Sequence, residues 1–293
     1  MLNALFSLRS FLYLLYAVAL TSVLLYVRFP TEKFRIFCEH RLEQFLEGAE
    51  CSISKIRYSF PLTVAFVDVK IGSPDKKSDN LKIDRLLLSP TLSGMFSSWK
   101  ITGEMYSGVA QAVLTVPFDN DFFYFKGIRC EKIDIAAVVA GLPSLEREIS
   151  GILTCSGEYK GESTHPLAGF GKGNMSLGNG VLKLQKPVFS LDAMDFGSIT
   201  VDWEYGEGML RVLKGRMVGK QLNADFSATL QPPFLASGGR LIADGFLEPQ
   251  EKFIKTKPKL KRLFQRLQQR SKKAKVPFKV GGTLSKPTFR LSR

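Results

Sequence analysis

The feature that most constrains this chain is an uncharged apolar stretch near its start. Residues 11–27 read FLYLLYAVALTSVLLYV, with Arg9 before them and Arg28 and Pro30 after them. In a helix rising 1.5 Å per residue this stretch spans about 25 Å, and flanking residues extend it across a hydrocarbon core of about 30 Å. The pattern predicts a transmembrane helix over residues 11–28, preceded by a short tail over residues 1–10. The apolar side chains predicted to form the anchor are Phe11, Leu14, Leu15, Val18, Leu20, Val23, Leu24, Leu25 and Val27.

A cleaved signal peptide is the alternative for this stretch. Residues 17–19 read Ala-Val-Ala, which matches the small-x-small pattern that precedes signal cleavage. Cleavage there would leave residues 20–27 as an apolar overhang, so the retained anchor is favoured. The orientation is left open, because Arg28, Lys33 and Arg35 follow the span and their charge leans toward a cytoplasmic C-terminal domain.

An amphipathic helix is predicted over residues 30–48, directly after the anchor. Its apolar positions recur at intervals of three and four residues, with charges between them and Gly48 as a stop. These positions are Phe34, Phe37, Cys38, Leu42, Phe45 and Leu46. The helix either packs on the first strands or lies on the membrane surface, and packing is favoured.

From residue 49 to residue 293 the hydrophobic period is two, which is typical of half-buried strands. Strands are predicted over residues 63–71, 81–88, 100–105, 109–116, 152–159, 199–205 and 222–230, with one short helix over residues 133–141. Glycine-containing turns at residues 178–180, 206–208 and 219–220 are expected to separate strands, and residues 169–173 also read as a turn. The fold class is therefore mostly β: an antiparallel sheet domain with a few flanking helices.

The excess of positive charge is local. Lys and Arg total 41 against 27 acidic residues, a net charge of +14, and eleven basic residues with no acidic one lie over residues 252–275. Leu260, Leu263, Phe264 and Leu267 have helical spacing, which predicts a basic amphipathic helix over about residues 257–274. The residues predicted to contact anionic lipid or a partner are Lys259, Lys261, Arg262, Arg266, Arg270, Lys272 and Lys273. Packing on the sheet end is the alternative, and nucleic acid is least favoured because aromatic residues do not interleave the charges.

Sequence motifs indicate no catalytic, cofactor or metal site. His40 and His165 lack a cysteine or carboxylate at catalytic spacing, and no phosphate-binding or nucleophile motif occurs. The four cysteines, Cys38, Cys51, Cys130 and Cys155, lack zinc-site spacing. They form either one or two disulfides in an oxidising compartment or lone buried thiols, and their pairing is left open.

The order of features resembles the type II secretion system protein N family (GspN), which is itself similar to AsmA-like and TamB-like periplasmic proteins. The resemblance rests on the anchor, the helix ending near Leu46, and four short segments. These are residues 58–62 (YSFPL), 69–71 (VKI), 86–90 (LLLSP) and 276–287 (VPFKVGGTLSKP). It implies a bacterial inner-membrane protein with a curved periplasmic β domain, and it transfers no active-site residues.

The function expected from this resemblance is a non-catalytic, structural role as an accessory of type II secretion. The expected partners are the inner membrane and secretion components, with phospholipid as a further candidate. The alternative is an AsmA-like lipid-binding or lipid-transfer protein with an apolar β groove. An anchored cytoplasmic nucleic-acid binder is the least favoured alternative.

Overall fold

The computed structural model describes residues 8–28, 30–46, 49–59, 62–73, 76–91, 97–117, 121–143, 148–188, 191–231, 239–256, 264 and 275–291. Two helices open the chain, α1 (Leu8–Arg28) and α2 (Thr31–Phe45). The helix predicted over residues 11–28 is therefore present and begins three residues earlier. Within the described part of the chain, no helix meets the requirements of length and apolarity for crossing a membrane.

The described residues then form fourteen strands, with two short helices among them. The strands are β1 (Glu50–Ser59), β2 (Thr63–Ser73), β3 (Lys76–Pro90), β4 (Ser98–Met105), β5 (Gly108–Thr115), β6 (Phe122–Asp134), β7 (Ile152–Glu162), β8 (Phe170–Val188), β9 (Leu191–Gly206), β10 (Met209–Gly219), β11 (Leu222–Leu230), β12 (Leu241–Pro249), β13 (Val276–Gly282) and β14 (Pro287–Leu291). The helices are α3 (Ile135–Ala140) and α4 (Glu251–Thr256), and a 3-10 turn covers Pro166–Ala168.

All fourteen strands belong to one sheet, in the order in which they occur in the chain. Every neighbouring pair is antiparallel, from β1 with β2 to β13 with β14. Each strand therefore pairs with its predecessor, which is the simplest connection for strands with alternating hydrophobicity. The mostly β, antiparallel fold predicted from the sequence is confirmed.

Helix α3 confirms the short helix predicted over residues 133–141. It begins where the Asp134 side chain accepts a hydrogen bond from the Ala136 N–H at 2.9 Å, an N-cap that satisfies one free donor of the first turn. The helix fills the connection between β6 and β7 and lies at one edge of the sheet face described below.

Two of the four predicted turns are confirmed, and two predictions were wrong. Residues 206–208 turn between β9 and β10, and Lys220 lies in the turn between β10 and β11. Residues 178–180 instead lie inside β8, where Asn179 has a φ of +49° and the pairing with β9 continues from Gly178 to Gly180 without a change of register. Residues 170–173 also belong to β8, where they pair with β7 and β9. The turn was predicted wrongly because a local glycine-rich sequence does not reveal that both neighbouring strands continue past it.

Three clusters of buried side chains stabilise the described structure. The first lies on β1 and β2 beneath α2 and contains Ile53, Ile56, Phe66 and Val69. The second extends from β8 to β13 and contains Leu177, Phe196, Met217, Ala224, Leu247 and Phe278. The third joins Leu222 and Val276 to Phe264, which is helical and only 1% exposed.

Candidate functional site

One face of the sheet is apolar over nearly its whole width. The pairing register aligns one residue from each of ten successive strands, β3 to β12, in a continuous row that we call the apolar row. Its members are Pro90, Trp99, Leu114, Phe125, Tyr159, Gly171, Tyr205, Leu210, Leu230 and Leu241. Because strands lie about 4.8 Å apart, the row is about 43 Å long.

The apolar row is accessible rather than sealed. All its members are half-buried except Gly171, which is buried beneath the rings of its neighbours. The adjacent positions on each strand point to the opposite face and include Lys100, Lys172 and Glu204. An apolar strip of this length, with charged residues confined to the other face, is typical of a surface that binds an apolar ligand or partner.

Aromatic side chains pack over glycines along this face, where a larger residue would leave no space for the rings. The Trp203 indole covers Gly157 and Gly173, so that a Cβ at either glycine would lie within 3.0 Å of the ring. The Trp203 Nε1–H is buried and has no hydrogen-bond partner among the described residues. Trp203 and Trp99 are the two tryptophans of the chain, and both lie on the apolar face.

One edge of the face is closed by the turn Pro166–Ala168. The Tyr159 hydroxyl donates to the Pro166 carbonyl and accepts a hydrogen bond from the Gly169 N–H at 3.1 Å. The Tyr205 hydroxyl donates to the Leu167 carbonyl. Burial raises the pKa of the Tyr159 hydroxyl, so this donor stays protonated at neutral pH.

Both ends of the face are covered, and its middle is open. At the β1–β3 end, Phe34, Cys38 and Leu42 of α2 pack on the first cluster. At the opposite end, Phe253 of α4 and Phe264 pack against the third cluster. On β4 and β5 between these covers, the buried residues are two glycines, Gly103 and Gly108, and the larger apolar side chains are half-buried.

A disulfide joins Cys130 on β6 to Cys155 on β7, directly across the pair of strands. The sequence left the pairing open, and the register resolves it by placing these two residues opposite each other. Cys38 and Cys51 are free thiols. Burial and the neighbouring carboxylates of Glu43 and Glu39 raise the pKa of Cys51 to about 11.

The predicted anchor residues lie on α1. Phe11, Leu14, Leu15, Leu20, Val23 and Leu24 are between 45% and 58% exposed. Every side chain of α1 that the structure describes is exposed, on all sides of the helix. The side chains of Val18, Leu25 and Val27 lie outside the described ones.

The basic residues predicted to contact lipid or a partner lie outside the described residues. These are Lys259, Lys261, Arg262, Arg266, Arg270, Lys272 and Lys273. Their prediction therefore stays a prediction, as does the helix over residues 257–274. The two histidines lie far apart in the chain, with His40 near Gln44 on α2 and His165 near Thr164 before the 3-10 turn.

No known family model matches this chain. Neither a curated protein nor a solved structure matches it. The resemblance to the type II secretion protein N family is thus neither supported nor contradicted by these comparisons, and functional inference depends on the geometry of the apolar face.

The apolar row was missed in the sequence because its members come from strands far apart in the chain. Alternation within a strand shows that one face is apolar but does not show which residues of successive strands align. The available signal was the apolar face of the predicted strands together with the 23 phenylalanines of the chain, which motivated the alternative of an apolar groove.

Proposed function

We propose that this chain is a membrane-anchored lipid-binding protein whose apolar row holds phospholipid acyl chains. The observation that carries the proposal is the uninterrupted apolar row across ten strands, half-buried and open over β4 and β5. Acyl chains have no hydrogen-bonding groups, so a long apolar surface without charged side chains suits them. A sheet face this wide would bind several acyl chains side by side or end to end.

Anchoring in a membrane is supported by α1. The described apolar side chains of α1, among them Phe11, Leu15 and Val23, are exposed, and exposed apolar surface in water is unfavourable. A bilayer provides a cover for the anchor residues predicted from the sequence. We propose that α1 spans the membrane.

An extracytoplasmic location of the sheet is supported by the Cys130–Cys155 disulfide. Disulfides persist in oxidising compartments such as the bacterial periplasm and are rare in the cytosol. This outweighs the weak charge bias around the apolar stretch, which leaned the other way. A periplasmic reporter fused to the C-terminus is expected to be active, and an inactive fusion would contradict the location.

Lipid binding can be tested with the native tryptophans as probes. The full chain is placed in nanodiscs made either with phospholipids brominated on their acyl chains or with the unbrominated lipids. Because Trp99 and Trp203 both lie on the apolar face, acyl chains on the row are expected to quench their fluorescence. Unchanged emission in brominated lipid would contradict the proposal.

A matched pair of variants on β5 provides the control. Leu114→Asp puts a charge into the apolar row, whereas Gln111→Asp puts one on the exposed face of the same strand. Leu114→Asp is expected to abolish the quenching and to remove co-purifying phospholipid detected by mass spectrometry. Gln111→Asp is expected to leave both unchanged, and thermal melts of both variants show whether the fold is retained.

The accessory role in type II secretion stays a prediction of the sequence resemblance. We propose it only as the setting in which an anchored lipid-binding sheet would act. Loss of secretion on deletion of the chain, restored by the parent but not by Leu114→Asp, would link the two functions.

A further inference from the structure

Helix α2 has two stripes of different character. Phe34, Cys38 and Leu42 point to the sheet and pack on the first cluster. The outer stripe carries Ile36 and Phe37, whose side chains are 59% and 54% exposed. They lie about one helical turn after the start of the helix at Thr31. Two adjacent large apolar residues on the outer side of a helix whose inner side is already packed need a second partner.

The charges of α2 are divided between the two stripes. Glu39 is turned inward, where it accepts a hydrogen bond from the Ile53 N–H at 2.8 Å and pairs with Arg35 at 3.0 Å. Glu43 accepts a hydrogen bond from the Cys51 N–H at 3.4 Å, and its other carboxylate oxygen lies 4.0 Å from His40 Nδ1 at the border of the outer stripe. The two carboxylates therefore bind backbone N–H groups on the free edge of β1, and Glu39 is turned away from the outer stripe.

The outer stripe is cationic as well as apolar. Lys33 and Arg41 are exposed there, and the Arg41 guanidinium lies 5.6 Å from the centroid of the Phe37 ring. The exposed Glu32 is paired with Arg35 at 3.1 Å. Apolar rings surrounded by basic side chains are the composition of helices that lie at a membrane surface.

The position of α2 also favours the bilayer. Two residues separate the end of α1 at Arg28 from the start of α2 at Thr31. That link reaches about 10 Å when fully extended, so the first turn of α2 cannot leave the membrane surface if α1 is embedded.

We propose that the outer stripe of α2 (Lys33, Ile36, Phe37, His40, Arg41 and Gln44) lies in the headgroup region of the bilayer that α1 enters. The inference rests on the anchoring role proposed for α1. Helix α2 is then held between the membrane and the β1–β3 end of the sheet. The covered end of the apolar face faces the lipid surface, and the open middle extends away from it.

Photo-crosslinking of the full chain tests this inference. With p-benzoylphenylalanine in place of Phe37, the chain is reconstituted into vesicles of phosphatidylethanolamine and phosphatidylglycerol and irradiated. Mass spectrometry is expected to show phospholipid adducts at this position at several-fold higher yield than with the same residue in place of Thr200, which is exposed on the polar face of β9. Arg41→Glu is expected to lower the yield at position 37, because it removes a cation beside the ring.

Flotation of the same vesicles after an alkaline wash separates the possible failures. If the chain floats but position 37 gives no more adduct than position 200, the inference for α2 is overturned and the anchor stands. If the chain does not float, the anchor and the inference are both overturned. Intact Cys130–Cys155 pairing, checked on non-reducing gels, shows that the labelled chains are folded.

Discussion

The β1–β3 end and the β4–β5 section of the same sheet face differ in whether a helix covers them. Under α2, Ile53, Ile56, Phe66 and Val69 are 5% exposed or less. On β4 and β5 only glycines are buried, although the apolar row continues without interruption through Trp99 and Leu114. The same strand pattern thus gives a core where it is covered and a candidate binding surface where it is not.

Similar apolar residues therefore have different roles under α2 and in the open section of the face. Apolar side chains under α2 contribute mainly to stability, because water is already excluded from them. Apolar side chains on β4 and β5 contribute less to stability and, in the proposed function, interact with lipid.

The largest effect is expected from Phe66→Ala in the covered end. Removing this 5% exposed ring leaves a cavity and should lower the free energy of unfolding by about 3–5 kcal/mol. Leu114→Ala in the open section should cost roughly 1 kcal/mol, since its side chain is only half-buried. Urea unfolding of both variants measures the difference, and equal losses would mean that the open section is also core.

Loss of the disulfide should have the next largest effect. Cys130 and Cys155 are 25 residues apart, and opening a loop of this size should cost about 3 kcal/mol by relaxing the unfolded chain. The double variant Cys130→Ser with Cys155→Ser leaves no odd thiol and is compared with the parent in urea. Because the bond joins β6 to β7 in the middle of the sheet, lipid quenching of the tryptophans should weaken as well. Free thiols at both positions in the purified parent would contradict this and the proposed compartment.

The attachment of α2 should depend on Glu39. This carboxylate is 18% exposed and holds both the Ile53 N–H and Arg35, so Glu39→Ala should destabilise the protein by roughly 2 kcal/mol. Glu32→Ala is the matched control on the same helix, because its 77% exposed side chain should change stability by less than about 0.5 kcal/mol. Equal effects would show that α2 is not held by its inner carboxylates.

The smallest effect is expected from Cys51 at alkaline pH. The folded thiol keeps its proton up to about pH 11, whereas an ordinary cysteine ionises near pH 9. Between these values the folded chain binds more protons than the unfolded chain, so stability is full at neutral pH and falls as the pH rises. The parent should lose about 1 kcal/mol more than Cys51→Ala on going from pH 8 to pH 10, measured by urea unfolding. An identical pH dependence would mean that the thiol is not shielded under α2.

Much of the secondary structure could be predicted from the sequence, because it depends on local patterns. The uncharged stretch predicted α1, the three-and-four spacing predicted α2, and strict alternation predicted strands such as β9 and β11. Glycines at residues 206–208 correctly marked a turn, since Glu207 and Gly208 both have positive φ. The same signal failed at residues 178–180, because Asn179 has positive φ inside β8 and only the pairing with the neighbouring strand distinguishes this from a turn.

The sequence by itself determined that this chain has an apolar N-terminal helix, an amphipathic helix after it and a β domain with one apolar face. Hydrophobic period and backbone hydrogen bonding act over a few residues, so these features are readable locally. Only the tertiary structure decided which strand residues align into the apolar row, that Cys130 meets Cys155, and which part of the face α2 covers. The strand register, the bulges and the position of the covering helix depend on contacts between residues distant in the chain. These contacts make one part of the apolar face a core and leave another part open.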